Sequence, residues 1–277
     1  MGSVTGLVTL LSLIVTPMLG SQTAVHGTLQ GTVKDQAGAR LPGAAVTVVN
    51  ENKYIQHNPQ THEGSDGLAV LFKRLSKSSP RVKIVRIFED GDYIFAHTEY
   101  DFASSNIGFE VFRFEDDMAV EHWDNIQQRQ GPNPSGHTMV DGSIEVTDLD
   151  KTETNQSIVQ SFVNEVLISG QLDTLEHYIG DGSYTEHNPR IADSLYALRS
   201  ALAEPATNNT MMIKYDKIHR VLAEGNFVLS VSEGSLNGIH SAFYDLFRVA
   251  DGKLVEHWDT TEEIPPRNEW RNDNGKF

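Results

Sequence analysis

The sequence predicts an α+β protein built as two tandem cone-shaped units, each a curved antiparallel sheet with helices over its concave face. Three observations predict it. Val255-Glu256-His257-Trp258-Asp259 repeats the residue types of Val120-Glu121-His122-Trp123-Asp124. Tyr184-Thr185-Glu186-His187-Asn188-Pro189 likewise answers Tyr54-Ile55-Gln56-His57-Asn58-Pro59. In the second half, helical periodicity gives way to four long alternating segments, the order of an α+β unit. The offsets, 187 − 57 = 130 and 257 − 122 = 135, nearly agree. A period of this size is a duplicated domain, since solenoid repeats run to roughly 20–50 residues. Phe109-Glu110-Val111-Phe112-Arg113 and Tyr244-Asp245-Leu246-Phe247-Arg248 add a third match just upstream of each VEHWD.

A length of 277 residues suits two such domains. Residues 7–19 are apolar, too short to span a membrane and followed by small and polar residues, so 1–24 has the shape of a secretory signal. No Lys or Arg precedes the apolar run, and Gln22 stands where a small residue would precede cleavage after Ala24. Export, periplasmic or secreted, follows if that signal is real, and a cytoplasmic protein if it is not. Residues 25–50 alternate around a Gly/Pro turn and read as a β-hairpin. The first repeat, 51–130, has one amphipathic helix over 65–75, marked by Leu68, Leu71, Phe72 and Leu75, and strands at 82–88, 93–101, 108–114 and 118–125. A Gly-, Pro- and Asn-rich linker, 131–147, leads to the second repeat, 148–277. There Ile158, Val159, Phe162, Val163, Val166 and Leu167 form a helical stripe ending at Gly170, with further helices over 172–179 and 193–202. Strands follow at 211–222, 227–233, 240–249 and 253–260.

Charge and composition narrow the chemistry. With Asp plus Glu at 38 against Lys plus Arg at 22, the net charge is −16, which argues against nucleic acid or an anionic membrane as partner. There is no cysteine, so disulfides, thiolate nucleophiles and Cys-ligated metals drop out and His, Asp and Glu remain.

Alternate residues of a strand share a face, so His257 and Asp259 point together and Glu256 and Trp258 point the other way. A three-residue turn at Ala250-Asp251-Gly252 would set Asp245 opposite His257, and a two-residue turn would set it opposite Trp258. The first is favoured, because Glu115-Asp116-Asp117 makes a poor two-residue primed turn in the first repeat. One face then carries Asp245, Phe247, His257 and Asp259, and its first-half equivalent carries Glu110, Phe112, His122 and Asp124. A carboxylate beside a His on an apolar wall is a workable acid/base pair. The plain structural readings stand beside this one: His-Asn-Pro punctuates a helix-to-strand junction, and VEHWD is a strand whose Trp fills the core. Arg113 and Arg248 read as salt-bridge partners of neighbouring carboxylates. His187 and His257 come from distant segments without short metal-ligand spacing, so no metal and no cofactor is expected.

The His-Asn-Pro motif after a helical hairpin, the [Glu/Asp]-x-Phe-Arg segment and VEHWD together resemble the SnoaL-like polyketide cyclases of the nuclear transport factor 2-like superfamily. They are similar more narrowly to SnoaL-like aldol-condensation-catalysing enzymes, including the tails at Asn133-Pro134-Ser135-Gly136-His137-Thr138 and Asn272-Asp273-Asn274-Gly275. The resemblance covers about 51–140 and 148–277. It departs in the first repeat, whose two N-terminal helices are replaced by residues 25–50; these resemble a remnant of a carboxypeptidase-regulatory-like module. Single domains of this fold usually dimerise, so the resemblance implies an internal pseudo-dimer, or a further homo-oligomer, with Trp123 and Trp258 near the interface. Ketosteroid isomerases, which share the fold, imply that Asp245 is a neutral carboxyl hydrogen-bonding an enolate, that His187 is the base, and that His257 and Asp259 orient or relay. His57, Glu110, His122 and Asp124 are the first-half equivalents, and Tyr184 and Phe247 line the second pocket. The implied activity is aldol-type cyclisation or isomerisation of a small apolar carbonyl compound, a lyase or isomerase. The alternatives are a non-catalytic hydrophobic-ligand or partner-binding protein, and epoxide hydration, which needs an Arg beside the carboxylates.

Overall fold

The computed structural model describes residues 50, 53–64, 66–67, 70–71, 81–102, 104–116, 118–180, 184–205 and 211–277. The secretory signal and the 25–50 hairpin lie outside the described residues, apart from Asn50. Most of the 65–75 helix does too, with helical backbone at Gly64, Asp66-Gly67 and Val70-Leu71. Among the described residues no helix is long and apolar enough to cross a membrane.

Among the described residues, ten strands form two five-stranded sheets. The first contains β1 (Ile55–Gln56), β2 (Arg81–Asp90), β3 (Tyr93–Phe102), β4 (Ser104–Glu115) and β5 (Met118–Gln128) in the order β1-β5-β4-β3-β2. The second contains β6 (Thr185–Glu186), β7 (Ile213–Glu224), β8 (Phe227–Leu236), β9 (Ile239–Ala250) and β10 (Lys253–Glu263) in the order β6-β10-β9-β8-β7. The sheets are therefore not purely antiparallel: β1 and β6 run parallel to β5 and β10. Strands of two residues carry no alternation, which is why the sequence does not announce them.

The turn between β9 and β10 also departs from expectation. Lys253 pairs with Ala250, leaving the two-residue turn Asp251-Gly252, both at positive φ (49° and 73°). A bulge at Val255, between Leu254 and Glu256, then shifts the register so that Asp245 pairs with Asp259 and Phe247 with His257. β4 and β5 repeat the device: Glu115 pairs with Met118, Asp116 has φ 49°, a bulge follows, and Glu110 pairs with Asp124. A short acidic side chain tolerates this left-handed backbone by bonding locally. The bulge adds one residue and restores the parity that a plain two-residue turn would have reversed.

One face of each sheet meets the other sheet. Phe95, Phe109 and Trp123 pack with Phe227, Leu229, Tyr244 and Trp258 in one buried core. Asn125 Nδ2 donates across it to Thr260 O at 2.8 Å. The opposite face of the second sheet is covered by α1 (Thr152–Phe162), its π-helical continuation Val163–Ile168, the short α2 (Leu175–Tyr178) and α3 (Leu195–Ala203). Val159, Phe162, Val163 and Val166 bury their stripe against Val228, Phe247, Val249 and Leu254. Each such side chain contributes about 1.5–3 kcal/mol relative to exposure.

The segment expected to be a linker lies on the second sheet. Asn133 Nδ2 donates to Glu186 O (2.7 Å) and Ile191 O (2.9 Å). The C-terminal tail does the reciprocal thing, Asn272 Nδ2 donating to Asn58 O (2.7 Å) and Thr61 O (2.9 Å). Each half thus closes over the His-Asn-Pro segment of the other.

Candidate functional site

The helix-covered face of the second sheet gathers six polar side chains around His257. β6 runs beside β10 with Glu186 opposite His257, which brings Tyr184, Glu186 and Asn188 to the strand that carries His257 and Asp259. His257 Nδ1 lies 2.9 Å from Glu186 Oε1, and Nε2 lies 3.1 Å from Asp245 Oδ1. Tyr184 Oη donates to Glu186 Oε2 at 2.8 Å, and Tyr215 Oη donates to Asp245 Oδ1 at 3.0 Å. Phe247 stacks on the imidazole, ring centroids 4.7 Å apart. Glu186, Asp245, His257, Tyr184 and Tyr215 are all buried, and Asp259 is half-buried.

Two carboxylates accept from the two ring nitrogens, so His257 is an imidazolium. Burial opposes its charge, but the field of Glu186 and the bonds to Asp245 and Glu186 outweigh that and raise its pKa well above the usual value. Burial likewise pushes Glu186 up, and His257 more than reverses it, holding the carboxyl below the usual range. Asp259 behaves oppositely. Burial, with Glu186 and Asp245 adding like charge, pushes its carboxyl up to about 7 despite His257 and the Asn188 hydrogen bond. Asn188 Nδ2 donates to Asp259 Oδ2 at 2.7 Å, while Oδ1 is buried without a hydrogen-bond partner. The arrangement therefore holds a fixed cation beside a carboxyl that exchanges its proton near neutrality.

Asp245, to which the resemblance gives the part of a neutral hydrogen-bond donor, lies between His257 and Tyr215. Tyr215 Oη donates to its Oδ1, and His257 Nε2 lies 3.1 Å from the same oxygen.

His187 does not join this group. Its ring lies on the inter-sheet side, stacked on Trp258 with centroids 4.7 Å apart and planes at 9°. Nε2 meets Glu256 Oε1 at 3.1 Å, and Nδ1 meets Thr138 O at 2.8 Å and Asp141 Oδ1 at 2.9 Å. His57 stacks in the same way on Trp123, with Nε2 at 2.8 Å from Glu121 Oε1 and Nδ1 at 3.0 Å from Gly275 O. The side chain between Glu186 and Asn188 points away from theirs because alternation along an extended segment sends it there.

In the first half, His122 Nε2 lies 2.7 Å from Glu110 Oε2, and Tyr100 Oη donates to Glu110 Oε1 at 2.6 Å. Gln56 replaces Glu186, its Oε1 at 3.2 Å from His122 Nδ1. Burial opposes charging of His122, and Glu110 and Asp124 overcome it, leaving the pKa raised. Glu110, His122 and Asp124 bring one donor atom each within 4.8 Å, as do His137, Asp141 and His187 in the second half. In the first of these clusters the Lys276 ammonium already lies 3.7 Å from Asp124 Oδ1. A hollow of about 510 Å³ nearby is lined by Tyr54, Ile55, Val120 and the ion-paired Lys53, Arg113 and Glu115.

Arg248 donates from Nε to Glu256 Oε2 at 2.6 Å, and Arg113 from Nε to Glu121 Oε2 at 2.8 Å, on the face away from the site. Among the described residues, neither of these arginines, which epoxide hydration would need beside the carboxylates, lies on Asp245. Sequence reasoning missed Glu186, Tyr215 and Asn188. Glu186 was findable, since it is the one acidic residue in the repeated hexapeptide and replaces Gln56.

No family model and no curated protein matches the chain. Among solved structures it is similar to a protein of Kribbella flavida DSM 17836 that carries the provisional name ketosteroid isomerase, at 15% identity over 42% of this chain and 84% of that one, TM-score 0.34. It is similar to a LEH-like epoxide hydrolase of M. tuberculosis at 21% identity over 40% and 85%, TM-score 0.30. It is also similar to a loop-truncation variant of IdmH at 20% identity over 39% and 92%, TM-score 0.28.

Proposed function

We propose that the chain consists of two SnoaL-like units joined as an internal pseudo-dimer, and that the second is an acid/base catalyst of enolisation acting on a small, largely apolar carbonyl compound. The observation that carries this reading is the pairing of Asp259, whose carboxyl is pushed up to about 7, with an imidazolium fixed between Glu186 and Asp245. A general base is most useful when its pKa lies near the working pH. Ionised Asp259 takes the proton α to the carbonyl, and the electron pair of that C–H bond becomes the enolate. The His257 charge stabilises the developing negative charge. Asp259, now protonated, returns the proton at another carbon in an isomerisation, or to the alkoxide formed when the enolate attacks a second carbonyl in an aldol-type closure. Glu186, Asp245, Tyr184 and Tyr215 are positioning residues that hold the imidazolium charged.

The test is solvent deuterium incorporation into a panel of small cyclic ketones, followed by NMR, with the full chain and with Asp259→Asn. Exchange catalysed by the wild type, with an ascending pH limb near 7, and lost in the variant supports the reading. Equal exchange by both proteins, or none above buffer by the wild type across the panel, defeats it.

A further inference from the structure

On the inter-sheet side of β10, away from the site above, the repeated His-Asn-Pro motif has a feature that enolisation does not use. The segment 133–142 carries His137 and Asp141 onto His187. His187 Nδ1 lies 2.9 Å from Asp141 Oδ1, and His137 Nδ1 lies 3.8 Å from Asp141 Oδ2. The outer nitrogen of each ring faces a different carboxylate: His187 Nε2 is 3.1 Å from Glu256 Oε1, and His137 Nε2 is 3.1 Å from Asp193 Oδ2. Both histidines thus turn the same nitrogen to one shared carboxylate and anchor the other on a carboxylate of their own.

We propose that His137, Asp141 and His187 bind a divalent transition-metal ion, Zn²⁺ fitting best, through the two Nδ1 atoms and the Asp141 carboxylate. A metal-bound His almost always donates its remaining N–H to a carboxylate or carbonyl, which fixes the tautomer and raises ligand basicity. Glu256 and Asp193 already provide those acceptors. The three inward donor atoms lie within 4.8 Å of one another. A tetrahedral ion with bonds of about 2.0–2.2 Å spaces its ligands roughly 3.4 Å apart, so a small closure suffices. Two imidazoles with one carboxylate suit zinc over calcium or magnesium, which take oxygen ligands.

The site is held open to solvent on a rigid base. His187 is buried, whereas the His137 and Asp141 side chains are 36% and 44% exposed. The Asp141 backbone is pinned, its carbonyl accepting from Arg86 Nη2 at 2.8 Å and Trp258 Nε1 at 2.9 Å. Asp141 Oδ1 accepts from Thr138 N at 2.9 Å, and Thr138 O, 2.8 Å from His187 Nδ1, is a further oxygen beside the ion. Gly142 completes the approach, since a Cβ there would stand 2.1 Å from Glu256 Oε1 and 2.9 Å from His187 Nε2. The first half keeps the outer carboxylate, Glu121 on His57, but turns Nδ1 to the Gly275 carbonyl instead of to a carboxylate.

The test is zinc titration of the chelator-stripped full chain by isothermal calorimetry, with native mass spectrometry for stoichiometry. One Zn²⁺ per chain is expected. His137→Ala, at an exposed position that leaves the core intact, weakens binding by well over tenfold. Asp193→Asn, which removes an outer acceptor, weakens it roughly 10–100-fold. Glu110→Gln, which disables the other His-carboxylate cluster, leaves affinity unchanged. No zinc uptake by the folded chain, wild-type affinity in His137→Ala, or loss of binding in Glu110→Gln instead would overturn the proposal.

Discussion

Asp245 lies directly across the β9–β10 ladder from Asp259, and His257, which pairs with Phe247 two residues along, bonds only the first of them. Two carboxylates opposite one another on a strand pair, in a buried setting, do not both ionise easily. His257 and Tyr215 bond Asp245, and Asp259, with one oxygen unpartnered, has its carboxyl pushed up to about 7.

That asymmetry predicts a stability change with pH. In the unfolded chain Asp259 titrates near its ordinary value of 3.8, and in the folded chain at about 7. Between these values the folded state binds more protons, so stability from this group is present below about 4 and is lost as pH rises through about 7. Asp259→Asn keeps an acceptor for Asn188 and removes the ionisation. Urea denaturation should find the variant close to the wild type near pH 4 and more stable than it near pH 8. A gap that does not widen with pH would refute the assignment.

Glu256 predicts the opposite slope. Burial pushes its carboxyl up, but His187 and Arg248 hold it at about 2. Its contribution is therefore present above about 4.5 and lost as pH falls towards about 2. Glu256→Gln should destabilise the chain by about 3–5 kcal/mol at pH 7, because Arg248 and His187 lose the charge they were buried with. It should also flatten the acid limb of stability between those pH values, read from denaturant midpoints.

Much of this architecture was legible before any coordinates. The repeats set two sheets of like order, and apolar spacing at Val159, Phe162, Val163 and Val166 set the covering helix. The register was not legible: a bulge at Val255 leaves no mark on hydrophobic alternation, yet it decides that Asp245 meets Asp259. The face carrying Asp245, Phe247, His257 and Asp259 was reached through a three-residue turn that does not exist, since that turn and the bulge shift parity alike. The side of the sheet taken by His187 was also hidden. Periodicity cannot be read across a two-residue strand, and its partners Thr138 and Asp141 come from a segment that composition marks only as linker.

The difference between the two His sites at a single position gives a reciprocal prediction. Glu186 supplies the largest of the effects raising the His257 pKa, while Gln56 offers His122 only a neutral oxygen. Glu186→Gln should lower the His257 pKa, and Gln56→Glu should raise that of His122 further, each followed by NMR titration of the imidazole carbons. If neither moves, the electrostatic account of the site fails. Turnover in Glu186→Gln should fall with the loss of the fixed positive charge, with the effect on kcat larger than that on KM, because the charge acts on the enolate and not on the bound ketone.

The two tryptophans of VEHWD allow a finer test of the packing. Both are buried between the sheets and each lies under an arginine, Trp258 at 4.1 Å from Arg86 Cζ and Trp123 at 3.9 Å from Arg220 Cζ. They differ in one atom's surroundings: Trp258 Nε1 donates to Asp141 O at 2.9 Å, whereas Trp123 Nε1 is buried without a hydrogen-bond partner. Replacing Trp by Phe removes about the same apolar area at both positions. At Trp258 it also leaves Asp141 O with one donor fewer, and at Trp123 it removes an unsatisfied donor whose burial costs about 1–3 kcal/mol. Trp258→Phe should therefore be the more destabilising of the two by about 1–3 kcal/mol in denaturant unfolding, and it alone should loosen segment 133–142 to proteolysis. Equal losses would mean that the hydrogen bond to the crossing segment adds nothing to what the ring's packing already provides.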